Sequence, residues 1–201
     1  MQGFNMNWGL ISAVLIFLSG YPYVRGIIDG SISKPVTSTW LLWLGIGILL
    51  LITNYQAGAR WDTTLLPVLM GVINPAVFLV LSLRYGEYKW TGIDTTCVII
   101  CLIAVIVWQT TGSAVLGLIG VIIADVVAAL PQVIKNWKDP KDEPFLPWTV
   151  FTFASGLNIL AISEWTIGKA LFPVYMTVFS ALALTLPVVL HRLRLKLKLG
   201  T

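Results

Sequence analysis

The stretch Leu130-Pro131-Gln132-Val133-Ile134-Lys135-Asn136-Trp137, running on to Pro144, has a counterpart 109 residues earlier in Tyr21-Pro22-Tyr23, running on to Pro35. In both copies the two prolines stand thirteen positions apart. A second echo sets Leu66-Pro67-Val68-Leu69-Met70 against Phe172-Pro173-Val174-Tyr175-Met176, displaced by 106 residues, so the copies differ by a short indel. An internal repeat of this length constrains the fold before any single motif does.

Composition says which solvent the repeats live in. Hydrophobic residues make up 57% of the 201-residue chain and charged residues 11%, with a mean hydropathy of +0.87. A soluble globule of this size would need far more polar surface, so lipid is the expected solvent. Crossing about 30 Å of hydrocarbon at about 1.5 Å per residue takes roughly twenty apolar residues. Seven stretches qualify: 8–25, 36–54, 63–83, 93–110, 113–135, 146–164 and 168–190. Span 1 is expected to be retained rather than cleaved, because no cation precedes it and no small-residue cleavage site follows.

The net charge of +4 acquires meaning from its location. With seven spans, the loops after spans 1, 3 and 5 and the C-terminal tail hold Arg25, Lys34, Arg84, Lys89, Lys135, Lys138, Lys141, Arg192, Arg194, Lys196 and Lys198, eleven of the thirteen cations. Only Arg60 and Lys169 fall on the other side, which puts the C-terminus in the cytoplasm and the N-terminus outside. No basic face with interleaved aromatics suits a nucleic acid, so none is expected as a partner. The expected partners are the lipid bilayer and a small-molecule solute, with self-association as a homo-oligomer left open. The tail His191-Arg192-Leu193-Arg194-Leu195-Lys196-Leu197-Lys198-Leu199 alternates with a strand-like period and reads as a headgroup clamp or an unstructured orientation signal. Trp8, Trp61, Trp90, Trp137, Trp148 and Trp165 fall at span ends, as interfacial anchors do.

A unit of three helices enters on one side and leaves on the other, so two units fused directly would be mutually inverted. Span 4 has no counterpart in either copy, and as a lone inverting helix it lets the two triplets lie parallel. The expected fold is therefore all-α, with seven transmembrane helices in a 3+1+3 parallel repeat. The first triplet covers 1–90, the linker helix 91–112, and the second triplet with its basic tail 113–201.

The Leu-Pro-Gln-Val-Ile-Lys-Asn-Trp run at a span end, inside a duplicated seven-span chain, resembles the PQ-loop motif, and the 3+1+3 pattern resembles the SWEET sugar transporters and the cystinosin-like amino-acid exporters. The resemblance covers nearly the whole chain; the first copy departs from it, with Tyr23 where the family usually has Gln. It implies a transporter working by alternating access. It also implies that Asn74 in span 3 flanks the substrate, whereas Ser180 stands where the SWEET pattern has a second asparagine. Relatives of this fold include cargo receptors, so a non-transporting receptor or scaffold of the same architecture is the alternative.

Read physically, Pro22 and Pro131 remove an amide donor and crowd the carbonyls of Leu18 and Val127, loosening the ends of spans 1 and 5 as hinges or as static kinks. Gln132 offers amide donors to such a freed carbonyl. Asn74, Asn158, Ser180 and Asp125 all reach the middle third of their expected spans, and Asn74 and Ser180 are equivalent under the 106-residue displacement. Transporters built from repeats bind substrate near this depth, although mid-membrane asparagines also serve as interhelical glue. An ionised carboxylate at a helix centre costs about 2.5–3.5 kcal/mol on the insertion scale. Proton coupling would give Asp125 a use; a hydrogen-bonded structural acid is the other reading. Trp40 and Trp43 share a face in the basic half of span 2 and are candidates for stacking on a substrate or shaping a gate, or for plain packing.

Enzymatic readings find no support. His191 is the single histidine, Cys97 and Cys101 sit on one helix face, and no nucleophile is paired with a base, so neither a metal nor another cofactor is expected. A retinal protein is excluded by the absence of lysine between Ala170 and Leu190.

Overall fold

A computed structural model describes residues 7–31, 34–61, 63–138, 140 and 145–199, apart from the side chains of residues 196, 198 and 199. Pro144, the sequence partner of Pro35, and Lys141 lie outside the described residues. The chain is an all-α integral membrane protein. Its helices are α1 (Trp8–Ser19), α2 (Tyr21–Asp29), α3 (Thr37–Gln56), α4 (Leu65–Tyr85), α5 (Gly92–Thr111), α6 (Ala114–Lys138), α7 (Phe145–Leu160), α8 (Ile167–Phe179) and α9 (Leu186–Leu199), with a π-helical segment, Ser180–Thr185, joining α8 to α9. Among the described residues six stretches are long and apolar enough to cross a membrane: Trp8–Asp29, Thr37–Gln56, Leu65–Tyr85, Gly92–Thr111, Ala114–Lys138 and Ile167–Leu195.

The sequence anticipates a seventh span over 146–164, but α7 ends at Leu160 and has 16 residues. Ala161 and Ile162 instead donate to the carbonyls of Asn158 and Ile159, three residues back, at 3.2 Å each. Such tightened bonds close a helix end even where the apolar run continues. The basic tail departs from the expectation in the other direction. Its alternating pattern is strand-like, yet α9 carries the helix on to Leu199. Extending an existing helix adds one bond per residue fixed, and Leu, Lys and Arg are good helix formers.

Local signals set the other ends. Asn7 caps α1 by accepting from the Leu10 amide at 2.9 Å. Thr91 and Asp94 form a reciprocal capping box at the start of α5, with the Thr91 amide donating to Asp94 Oδ2 at 2.5 Å. Gly112, at φ 66°, stops α5 in a left-handed conformation that residues with a Cβ adopt only under strain, and α6 begins two residues later. Between α7 and α8, Lys169 Nζ donates to Glu164 Oε2 at 2.7 Å, which holds that carboxyl below the usual carboxylate range.

The core is built around α3, α4 and α6. Ile46 and Leu50 of α3, Leu65 and Val68 of α4, and Leu118, Val121 and Ala124 of α6 are buried together, joined by Ala104 of α5 and Phe172 of α8. α4 packs on both α1 and α3, α5 packs on α6, α1 runs against α7, and α3 runs against α6. In the last part of the chain, the α8–π–α9 rod touches both α6 and α7. Outward-facing apolar residues such as Val80, Leu83, Leu102 and Ile106 remain exposed, as a lipid solvent permits.

At the basic end the loop before α3 is joined to the loop after α4. The Thr37 amide donates to the Glu87 carbonyl at 2.8 Å and the Glu87 amide to the Pro35 carbonyl at 3.0 Å. The Thr37 hydroxyl adds a bond to the Ser82 carbonyl at 3.2 Å, and the Ser38 hydroxyl one to the Lys89 carbonyl.

The tightest helix contact is between α3 and α4, where a Cβ on Gly47 would fall on the Gly71 carbonyl, whereas one on Gly45 would meet nothing within 4 Å. Gly47→Ala is therefore expected to destabilise the fold by about 1–3 kcal/mol through overpacking. Gly45→Ala is expected to be neutral or to stabilise by up to about 1 kcal/mol through helix propensity. Unfolding of both variants in mixed micelles measures the difference, and equal effects would contradict the packing.

Candidate functional site

The sequence places a loosened helix at Pro22, and the structure places a one-residue interruption just before it, at Gly20, within the apolar stretch Trp8–Asp29. The Gly20 amide turns to the Phe17 carbonyl at 3.2 Å, and α2 restarts at Tyr21 with Pro22 in its first turn. The carbonyl that gains outside partners is that of Ile16 rather than Leu18. It accepts from Ser19 Oγ at 2.7 Å and from Asn74 Nδ2, on α4, at 3.1 Å. Gly20 admits this approach: a Cβ there would lie 3.0 Å from the Phe78 ring and 3.8 Å from Asn74 Nδ2. Asn74, half-buried and near the middle of α4, thus bridges the first and third spans. The residue after it, Pro75, withholds an amide from the Gly71 carbonyl, the same carbonyl that rests against Gly47.

Pro131 lies inside the unbroken helix α6. Gln132 does not turn back to the freed Val127 carbonyl, as the sequence suggests it could. Its Nε2 donates to Asn136 Oδ1 at 2.7 Å, and Asn136 Nδ2, fully buried, donates to the Leu184 carbonyl in the π segment at 2.9 Å. One residue further, the Thr185 hydroxyl lies 2.8 Å from the Thr152 hydroxyl and donates to the Trp148 carbonyl at 3.0 Å. α6, α7 and the π segment therefore meet in a knot of polar bonds at Leu184 and Thr185.

Asp125, near the middle of α6, accepts from the Tyr175 hydroxyl of α8 at 2.7 Å. Tyr175 stacks on Phe179 at 5.5 Å between centroids and lies 6.2 Å from Phe172. Among the described residues no lysine or arginine forms an ion pair with Asp125. The acid faces a neighbouring helix and is held there by a single neutral donor.

Trp40 and Trp43 do pack together, at 5.1 Å edge to face. Trp40 also meets Tyr23 at 5.6 Å and Phe78 at 4.5 Å, and Tyr23 meets Phe78 at 5.2 Å. Trp40 is enclosed by its ring neighbours, whereas Trp43 Nε1 is buried without a hydrogen-bond partner among the described residues. Asn158 Oδ1 is in the same condition. Because α7 ends at Leu160, Asn158 sits at the end of its helix and not in the middle third that the longer expected span implied. Ser180, fully buried, opens the π segment and donates to the Thr177 carbonyl at 3.2 Å within its own helix.

Asn136, Tyr175, Pro75, Thr152 and Thr185 are missed by the sequence reading. Asn136 carried a signal, since it lies four residues after Gln132 and hence on the same helix face. The partner of Asp125 and the π segment carried none. Compared with known proteins, the chain has no significant match to a family model, a curated protein or a solved structure.

Ser19 and Asn74 share one acceptor, so either alone satisfies it. Ser19→Ala and Asn74→Leu are each expected to lower stability by about 1 kcal/mol or less. The double variant is expected to lose more than the sum, because the Ile16 carbonyl is then left bare in the bilayer. Strictly additive losses in a mixed-micelle unfolding cycle would contradict a shared role.

Proposed function

We propose that this protein is a membrane transporter that moves a small polar solute, sugar or amino-acid-like, by alternating access, in a seven-span 3+1+3 architecture of the PQ-loop kind. The observation that carries the reading is the pattern of helix contacts. In the first triplet the third span, α4, touches both the first and the second; in the last, the α8–π–α9 rod does the same to α6 and α7. Across the triplets, α1 meets α7 and α3 meets α6. Exchanging span 1 with 5, 2 with 6 and 3 with 7 turns each of these contacts into another of the set. A twofold axis along the membrane normal relating two like-oriented triplets has this effect. The unpaired helix α5 packs on α6 beside the pseudo-symmetric pair. In this arrangement α7 is span 6 and brings the count to seven: at about 1.5 Å per residue its 16 residues extend about 24 Å, and a short span is accommodated by local thinning of the bilayer.

On this reading the basic end is cytoplasmic and the N-terminus external. Asn74 and Ser180 are repeat-equivalent and lie at matching positions of the third span in each triplet. Each marks a fault in its helix ladder, Pro75 following the one and the π segment starting at the other. Helix faults at mid-membrane suit a binding site, because irregular backbone there must face protein or a polar cavity. Asp125, with one hydrogen-bonding neighbour and no ion pair among the described residues, is the candidate for coupling to protons.

Uptake of labelled sugars and amino acids into proteoliposomes tests the proposal, with a substrate screen by thermal shift to choose the labels. Uptake that saturates supports transport, and binding without uptake supports a receptor instead. With an imposed pH gradient, Asp125→Asn is expected to reduce concentrative uptake at least about tenfold while leaving counterflow exchange intact. Unchanged gradient-driven uptake in that variant would remove Asp125 from the mechanism.

A further inference from the structure

The ring cluster and the polar knot occupy the same place in the two triplets. Displaced by 109 residues, Tyr23, Trp40 and Trp43 become Gln132, Thr149 and Thr152; displaced by 106, Phe78 becomes Leu184. The first set is a contiguous aromatic packing, each member within 5.6 Å of another between centroids. The second contains Gln132, Thr152 and the Leu184 carbonyl, joined through Asn136 and Thr185. Of the four positions, two that carry rings in the first triplet carry hydrogen-bonding side chains of the knot in the second, Gln132 and Thr152, and a third supplies its backbone carbonyl at Leu184, while Thr149 bonds to the Phe145 carbonyl of its own helix.

Resting on the repeat reading above, we propose that the gate at the basic end is one-sided: the second triplet opens by parting the bonds at Leu184 and Thr185, while the first stays shut as a fixed wall. Three features support the division of labour. Separating packed rings exposes a large apolar area to water and forfeits their edge-to-face contacts. Amide and hydroxyl bonds can instead be exchanged for water as the site opens, at a net cost of about 1 kcal/mol each. Second, the polar knot is anchored on a π segment, where each turn holds an extra residue; returning it to α geometry rotates the downstream helix by about 100°, the angle of one residue. That rotation would turn α9, which carries Val188. Third, the first triplet is also fastened at its loops by the paired backbone bonds of Thr37 and Glu87. Asn136 and Thr185 act here as positioning residues, holding the π segment without touching solute.

The repeat supplies matched reporters, since Ser82 and Val188 are equivalent under the 106-residue displacement and both are 1% exposed. In nanodiscs, with Cys97 and Cys101 replaced by serine, Ser82→Cys and Val188→Cys are titrated with a membrane-impermeant maleimide. The expected result is labelling about tenfold faster at position 188. Adding Asn136→Ala and Thr185→Val should speed position 188 about tenfold again and leave position 82 within about twofold. Phe78→Leu should leave the rate at 188 unchanged. Should the double variant fail to fold, Thr185→Val alone carries the test, with a smaller increase expected at 188. Equal rates at the two reporters, or a parallel rise at both when the knot is cut, would overturn the one-sided gate. Labelling needs no solute, so it is separable from the transport reading: asymmetric labelling without flux removes transport and keeps the gate, whereas flux with symmetric labelling removes the gate alone.

Discussion

A backbone carbonyl in hydrocarbon has no water to turn to, and this constraint organises the molecule more than any apolar contact. Lipid is as apolar as leucine, so burial of side chains does not by itself decide which helix meets which. Departures from the regular ladder do. The break at Gly20 brings Ser19 and Asn74 to the Ile16 carbonyl, which fixes α4 against α1 at mid-height. The π segment brings Asn136 to the Leu184 carbonyl, which fixes α6 against the last span. Both ties are made by an asparagine amide aimed at backbone, α4 to α1 by Asn74 and α6 to the π segment by Asn136. The two arise from unrelated positions and answer the same physical demand.

Close approach supplies the remainder. Glycines at α3–α4 and beside the opposite loops let backbone meet backbone where any Cβ would collide, Gly47 on Gly71 and Gly168 on Ala57. Such contacts gain dispersion over many atoms and resist sliding, because a register shift would set a side chain where only hydrogen fits. Polar ties then select a register, and small residues hold it.

Hydropathy made six long spans legible among the described residues, with ends that differ from the structure by a few residues, and the proline spacing suggested the duplication on which the functional proposal rests. The features that escaped all depend on a partner from another helix or on where hydrogen bonding stops. Gln132 looks like a donor for its own kink; Asn136, one turn on along the same face, was within reach of the sequence, but its tie to the Leu184 carbonyl on another helix was not. Asn158 looks central because the expected span runs on to 164, with Ala161 and Ile162 still apolar, and composition does not register the end of a hydrogen-bond ladder. The tail looks like a strand because alternation is a two-residue period; with no second strand to pair with, its backbone groups are satisfied only by continuing the helix already begun. Asp125 is recognisable as costly from its position alone, yet Tyr175, its only hydrogen-bonding neighbour among the described residues, stands fifty residues away in a segment conspicuous for its proline.

The divergence of the two copies has a physical logic under the transport reading. A symmetric pair of gates that both melted on each cycle would have to break two sets of contacts together, and the barrier would hold both contributions. If one half becomes a rigid wall of rings, only the other must rearrange, and its hydrogen bonds can be traded for water rather than lost. On that reading the asparagines divide in the same way. Asn74 would stabilise a lasting interruption in the triplet that stays closed, where a fixed partner is an advantage. Asn136 would grip a π turn in the triplet that moves, and an amide bonded to a carbonyl through one hydrogen can let go without leaving a charge behind.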